Sequence, residues 1–366
     1  MDINSIDIIK VLFLGSLGFL VAFLITPCLT NFLYKNKLWK KKVRDVSIDG
    51  KDIPFFKKYH SEKEVNVPRM GGILIWVTTL ILAFSLYFLS SITDIAWIDK
   101  LNFLSREQTW LPLFALVFAS IIGLFDDLLQ VAPEPKNKLL KSFWNKTNKY
   151  IGGGFSLKYR LALMGLLGLI GGLWFYYKLG ITTIYIPGMG DVFIGFLYIP
   201  LFVLVMVATY SGGVIDGLDG LAGGTFASIF GAYAIIALVQ QQFDLAAFSA
   251  VITGTILAFL WYNIPPARFY MGETGIIGLC AALTTIAFLT DAVAVLPIIA
   301  FLLVLSSGSV IIQLFSKKYF KKKVFLAAPI HHHFEALEWP PYKITMRFWI
   351  MGVIFAIIGV VLTLIK

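Results

Sequence analysis

Five carboxylates and a run of three histidines are the residues of this sequence best placed by type to do acid–base or metal chemistry. Asp126 and Asp127 are adjacent in GLFDDLLQ, Asp216 and Asp219 share SGGVIDGLDGLAGG, and Glu273 stands in RFYMGETG. His331, His332 and His333 follow in APIHHHFEALEWPP, in a chain with four histidines altogether. Neighbouring like charges disfavour ionisation, so such a set of acids suits the holding of a cation, the transfer of a proton, or both. Magnesium is the natural candidate, because it takes oxygen ligands and is commonly held by one or two carboxylates plus the phosphates of a substrate. Zinc fits less well. The histidines are consecutive, no cysteine is near, and the spacing that aims two imidazoles at one ion from a helix is missing. The glycines around Asp216 and Asp219 let backbone approach a ligand and offer amide donors at the start of the next helix, although glycine also serves close helix contacts in membranes.

The elements that must position these groups are written in the composition. The chain has 366 residues, 58% hydrophobic and 14% charged, with a mean hydropathy of +0.82, which marks an integral membrane protein. Continuous apolar blocks, without period-two alternation, predict membrane-crossing helices and not a barrel. Ten are expected: 8–32, 70–91, 110–128, 159–177, 196–209, 221–240, 245–262, 274–289, 292–315 and 348–364. The leader MDINSIDIIK lacks a basic start, so the first span is expected to be retained and not cleaved. Cys28 and Cys280 fall inside spans and are expected to be buried, small and unbridged. IYIPGMGDVFIG, between spans four and five, predicts a small hairpin. With no long linker and no internal repeat, residues 1–366 read as one domain.

Charge sets the expected orientation. Of 31 lysines and arginines, eleven lie between spans one and two, seven from the end of span three through Arg160, one between spans seven and eight, and seven between spans nine and ten. Those connections are expected on the cytoplasmic side, with both termini on the extracytoplasmic side. The net charge of +10 then lies against the anionic inner leaflet, as a topological anchor or an attractant for anionic substrates, and not as a nucleic-acid surface. All five carboxylates fall at the cytoplasmic ends of spans. An ion-coupled transporter places ionisable groups near the midplane, often in two related halves. A one-sided cluster in loops and helix ends favours an enzyme acting on a phosphorylated substrate.

GLFDD, DGLDGLAGG, NIPPARFYMGETG and APIHHHFEALEWPPYKITMRFW together resemble the phospho-N-acetylmuramoyl-pentapeptide transferase family, within the polyprenyl-phosphate N-acetylhexosamine-1-phosphate transferases. The resemblance spans nearly the whole chain, and the triple histidine followed by Phe-Glu is its most specific part. It implies an all-α polytopic membrane fold of ten helices. It also implies Mg²⁺-dependent transfer of phospho-MurNAc-pentapeptide from UDP-MurNAc-pentapeptide to undecaprenyl phosphate at the cytoplasmic face of the bacterial inner membrane, giving lipid I and UMP for peptidoglycan. A related transferase using another UDP-sugar is the alternative, and a homodimer is among the assemblies it allows. Matched position by position, Asp126 stands as the base, Asp127 beside the metal, and Glu273 where the family has a metal-binding Asp. Asp216, Gly217, Leu218 and Asp219 match the nucleoside pocket, Tyr270 an aromatic that stacks on uracil, and His331 the lead of the catalytic histidine motif. Lys63, Asn263, His332 and His333 complete the implied substrate contacts. The sequence departs from the pattern at Glu273, at Gly213 where Asn is expected, at Gln130 where Lys is common, and at Arg69 where Thr is usual.

Overall fold

The computed structural model describes residues 4–40, 66–93, 95–105, 107–131 and 154–365. Ten helical segments within them are long and apolar enough to cross a membrane, the fourth and fifth only with their flanking turns (Leu157–Lys178 and Gly195–Ile215): α1 (Ser5–Lys35), α2 (Ile73–Ile92), α3 (Trp110–Val131), α4 (Leu157–Leu173), α5 (Tyr198–Gly212), α6 (Leu221–Val239), α7 (Phe243–Asn263), α8 (Gly272–Leu289), α9 (Phe301–Tyr319) and α10 (Pro341–Leu364). The expected hairpin is present as β1 (Thr183–Ile186) and β2 (Gly190–Phe193), antiparallel with Ile186 opposite Gly190. Its turn carries glycines at positive φ, Gly188 and Gly190, as tight hairpins require.

The bundle is organised around α8. Almost every residue from Gly272 to Phe288 is buried, and its sequence GETGIIGLCAALTTIAFL combines apolar groups with small ones. Small residues let helices approach closely where lipid offers no hydrophobic drive between them. Polar cross-links then fix depth and rotation: Thr274 Oγ1 donates to the Ser120 carbonyl of α3 at 2.9 Å, and Thr284 lies 2.9 Å from Thr209 of α5. Outward faces are greasy, with Leu12, Leu24, Phe114, Leu204 and Ile357 exposed, as lipid contact demands.

Several expected boundaries shift for identifiable reasons. The ninth span is not one helix from Ala292. A 3₁₀ turn (Val293–Val295) and a short helix (Leu296–Ile299) with Pro297 in its first turn precede a break at Ala300, where φ is −96° and ψ 31°. The tenth helix starts at Pro341, seven residues before its purely apolar part, because Pro at the first helical position gives up an amide that had no partner there. The second starts at Ile73, since Met70 takes φ 72°. Cys28 is exposed instead of buried, on the outward side of α1, while Cys280 is buried, and both are free thiols.

Candidate active site

Asp126 and Asp127 occupy the last turns of α3, and both side chains have 0% exposure. Consecutive residues on a helix point about 100° apart, so the two carboxyls reach different partners. Asp126 is saturated. Its Oδ2 accepts from Gln130 Nε2 at 2.8 Å and lies 2.9 Å from Arg160 Nη2, and its Oδ1 accepts from the Phe155 amide. Asp127 is half committed: Oδ2 accepts from the Thr274 amide at 2.9 Å, whereas Oδ1, also buried, accepts no hydrogen bond among the described residues and has Arg69 Nε 3.7 Å away.

Glu273 enters from the first turn of α8. Its Oε1 pairs with Arg160 Nη1, and Tyr210 of α5 donates to its Oε2 at 3.4 Å. The preceding Gly272 has φ 74°, and a Cβ there would run into the Asp127 carboxyl and sit 3.0 Å from the Met70 amide nitrogen. Only glycine lets the chain turn into α8 this close to α3. Two backbone bonds, Gly71 to Tyr270 at 2.8 Å and Gly72 to Met271 at 2.9 Å, hold the 69–72 segment alongside, which places Arg69 beside the acids.

The loop after α5 closes the site. Asp216 is half-buried, and the protein packed around it pushes its pKa up to about 6 against the pull of Arg69, with Glu273 and Asp219 adding to the rise. Asp219 accepts from the Ala267 amide at 3.2 Å, and Thr345 of α10 donates to its carbonyl at 3.2 Å. Leu218 is buried.

The histidines ride on a short helix, Ile330–Ala336, docked by the Ile330 amide onto Ser309 of α9 at 2.9 Å. His331 is fully buried and His332 pairs with Glu335 at 2.5 Å. Both imidazoles lie against Gly217, where a Cβ would collide with His331 Nε2 and sit 2.9 Å from His332 Nε2. His333 turns away: its Nδ1 accepts from the Leu326 amide at 3.2 Å and its ring meets Phe325.

The structure thus brings Asp126, Asp127, Glu273 and Asp216 to one end of the bundle, with His331 and His332 against the adjoining loop. Asn263 is committed to the backbone, accepting from Gly220 at 3.0 Å and donating to Phe269 at 2.8 Å, so it shapes the loops on both sides. The Tyr270 backbone is bonded to Pro68 and Gly71. Lys63 lies outside the described residues. Gly213 faces Ile276, whose Cγ2 fills the space a side chain there would take. Arg160 and Tyr210 are the groups that sequence reading passed over. Arg160 was counted with loop cations, yet an arginine inside an apolar span is itself a functional signal.

Among the described residues no three acids or histidines converge as a ready cage for a metal ion. The donors nevertheless fit magnesium, which needs only one or two protein carboxylates: Asp127 Oδ1 is a buried carboxyl oxygen without a hydrogen-bond donor among the described residues, and Glu273 precedes Thr274, whose amide Asp127 accepts.

Residues 109–291, from the start of α3 to the end of α8, match the glycosyl transferase family 4 pattern. Over 353 residues, 96% of this chain and 97% of the relative, the chain is 33% identical to the phospho-N-acetylmuramoyl-pentapeptide-transferase of Anoxybacillus flavithermus. It is 33% identical over 352 residues to that of Bacillus pumilus and 32% over 355 residues to that of Bacillus subtilis, with the same shares covered. With similarity over 96% of its length, the chain belongs to the phospho-N-acetylmuramoyl-pentapeptide-transferase family.

Proposed function

We propose that this multi-pass bacterial membrane protein moves phospho-N-acetylmuramoyl-pentapeptide from UDP to undecaprenyl phosphate, forming lipid I and releasing UMP. The observation that carries this reading is the full-length similarity to proteins named for that activity. The site's chemistry supports it: acids, arginines and histidines meet at helix ends, where a water-soluble nucleotide and a lipid phosphate have common access. The basic connections argue that this end faces the cytoplasm.

In the transfer, an oxygen of the lipid phosphate bonds to the β-phosphorus of the nucleotide, and the bond from that phosphorus to the bridging oxygen of UMP breaks. Arg69 and Arg160 place positive charge where the diphosphate would lie. A carboxylate of the Asp126–Asp127 doublet takes the proton from a monoprotonated lipid phosphate. The loop from Asp216 to Asp219 receives the nucleoside, with Tyr270 stacking on its base, and His331 and His332 set the opposite wall. Magnesium, held by Asp127 and Glu273, would supply charge neutralisation for the leaving UMP.

A transfer assay run side by side with UDP-MurNAc-pentapeptide and UDP-GlcNAc tests the reading. Lipid I is expected from the first and no product from the second. Product from UDP-GlcNAc alone overturns the substrate assignment and points to Gly213, whose side-chain space Ile276 fills, as the cause.

The histidine wall has its own test. Gly217→Ala is expected to push His331 and His332 off the loop and lower the transfer rate on the order of tenfold to a hundredfold, the cost of a small misplacement. The melting temperature should hold, because the Ile330–Ser309 bond that docks the short helix on α9 is untouched. An unchanged rate would show that the two imidazoles do not act through their position against this loop.

A further inference from the structure

Arg160 reaches the site from the first turn of α4, and its guanidinium is shared between carboxylates on two other helices. Nη2 lies 2.9 Å from Asp126 Oδ2 on α3, and Nη1 contacts Glu273 Oε1 at the head of α8. The side chain is 17% exposed, and its Nε is buried without a hydrogen-bond partner among the described residues, so the two carboxylates, with Tyr210 beside them, hold the group. The planar fork of arginine suits this bridging, which a lysine ammonium does not reproduce. The position is also the place a divalent ion would favour, between acids of α3 and α8 in a largely desolvated pocket. Glu273 meets both Arg160 and Tyr210 with the length of a glutamate; an aspartate in the same backbone position would fall one methylene short.

We propose that Arg160 is a resident counter-cation that competes with the divalent ion for Glu273. Before metal arrives it neutralises Asp126 and Glu273 and ties α3, α4 and α8 together. A metal ion takes Glu273 by exchange, and Arg160 stays on Asp126 with its other nitrogen turned to the phosphates of the nucleotide. Glu273 and Arg160 thus form a unit, which explains why this chain carries the longer acid there. The inference rests on the reading of the cluster as a divalent-cation site. Competing ligands are coupled reciprocally, so whatever metal does to the Arg160–Glu273 pair, the pair does to metal affinity.

The test uses the purified full chain and Mn²⁺ as the probe, with free ion measured by electron paramagnetic resonance. Arg160→Met is expected to bind Mn²⁺ on the order of tenfold more tightly than wild type, and Arg160→Lys to fall between. Arg69→Met, which removes the same charge beside Asp127 and leaves the bridge intact, is the control for plain electrostatics and should move affinity less. In EDTA, Arg160→Met should melt below wild type, and saturating Mn²⁺ should raise its melting temperature more than wild type's, since an ion that binds only the folded state stabilises in proportion to its affinity. If Arg160→Met binds no more tightly than Arg69→Met, Arg160 is no competitor and the inference falls, while the divalent site stands. If none of the four proteins binds Mn²⁺, the divalent reading itself fails. Should Arg160→Met not fold, Arg160→Lys decides: affinity equal to wild type overturns the inference.

Discussion

Removal of divalent metal with EDTA is expected to take lipid I formation below detection, and added Mg²⁺ to restore it. Asp126, Asp127, Asp216 and Glu273 gather at one end of the bundle, with Arg69 and Arg160 as the cations nearest them among the described residues. A nucleoside diphosphate and a lipid phosphate bring at least three more negative charges to the same place. At the low effective dielectric of a partly buried site, each unneutralised pair at about 4 Å costs on the order of several kcal/mol. Two arginines, each already beside a carboxylate, offset only part of that, and Asp127 Oδ1 accepts no hydrogen bond among the described residues. The measurement is the rate of lipid I formation against free Mg²⁺ in a chelator-buffered series. Full turnover in metal-free buffer would overturn the metal-dependent reading of the cluster.

Asp127→Asn is expected to lower the rate by roughly 10² to 10⁴, the range for loss of a positioned acid–base group, and to do more harm than Asp126→Asn. The resemblance assigns the base to Asp126, and the geometry argues for the reverse order of effects. Asp126 accepts from Gln130 and Phe155 and pairs with Arg160; an asparagine there keeps an acceptor for at least one of those donors. At Asp127 the amide must either set its NH₂ against the Thr274 N–H or turn it toward Arg69, replacing the one uncommitted oxygen with a donor that faces a cation. Because the position is isosteric and the Thr274–Ser120 contact between α3 and α8 is untouched, folded protein should be recovered in normal yield. Single-turnover rates for both variants, at several Mg²⁺ concentrations, check the order. A larger loss in Asp126→Asn returns the base to Asp126 and leaves Asp127 as a ligand only.

The spans and the hairpin were legible before any coordinates because lipid is an unforgiving solvent. Backbone polar groups must be satisfied within each segment, so about twenty apolar residues in a row have one structural outcome, and a Pro-Gly and Gly-Asp pair between alternating residues has nearly one. Counting spans also sufficed to put Asp126, Asp127, Asp216, Asp219 and Glu273 at one end, since parity needs no knowledge of packing. Hydropathy carries no rotation about the helix axis and no exact depth, and those two quantities decide partners. They turned Cys28 outward, broke the ninth span at Ala300, spent the Asn263 amide on Gly220 and Phe269, and faced His333 to Phe325 while His331 and His332 met Gly217. They also drew Arg160 from α4 into the gap between α3 and α8. That pairing joins residues 34 and 113 positions apart in the chain, and only close packing around the buried α8, with the Gly272 turn at its head, brings them within reach.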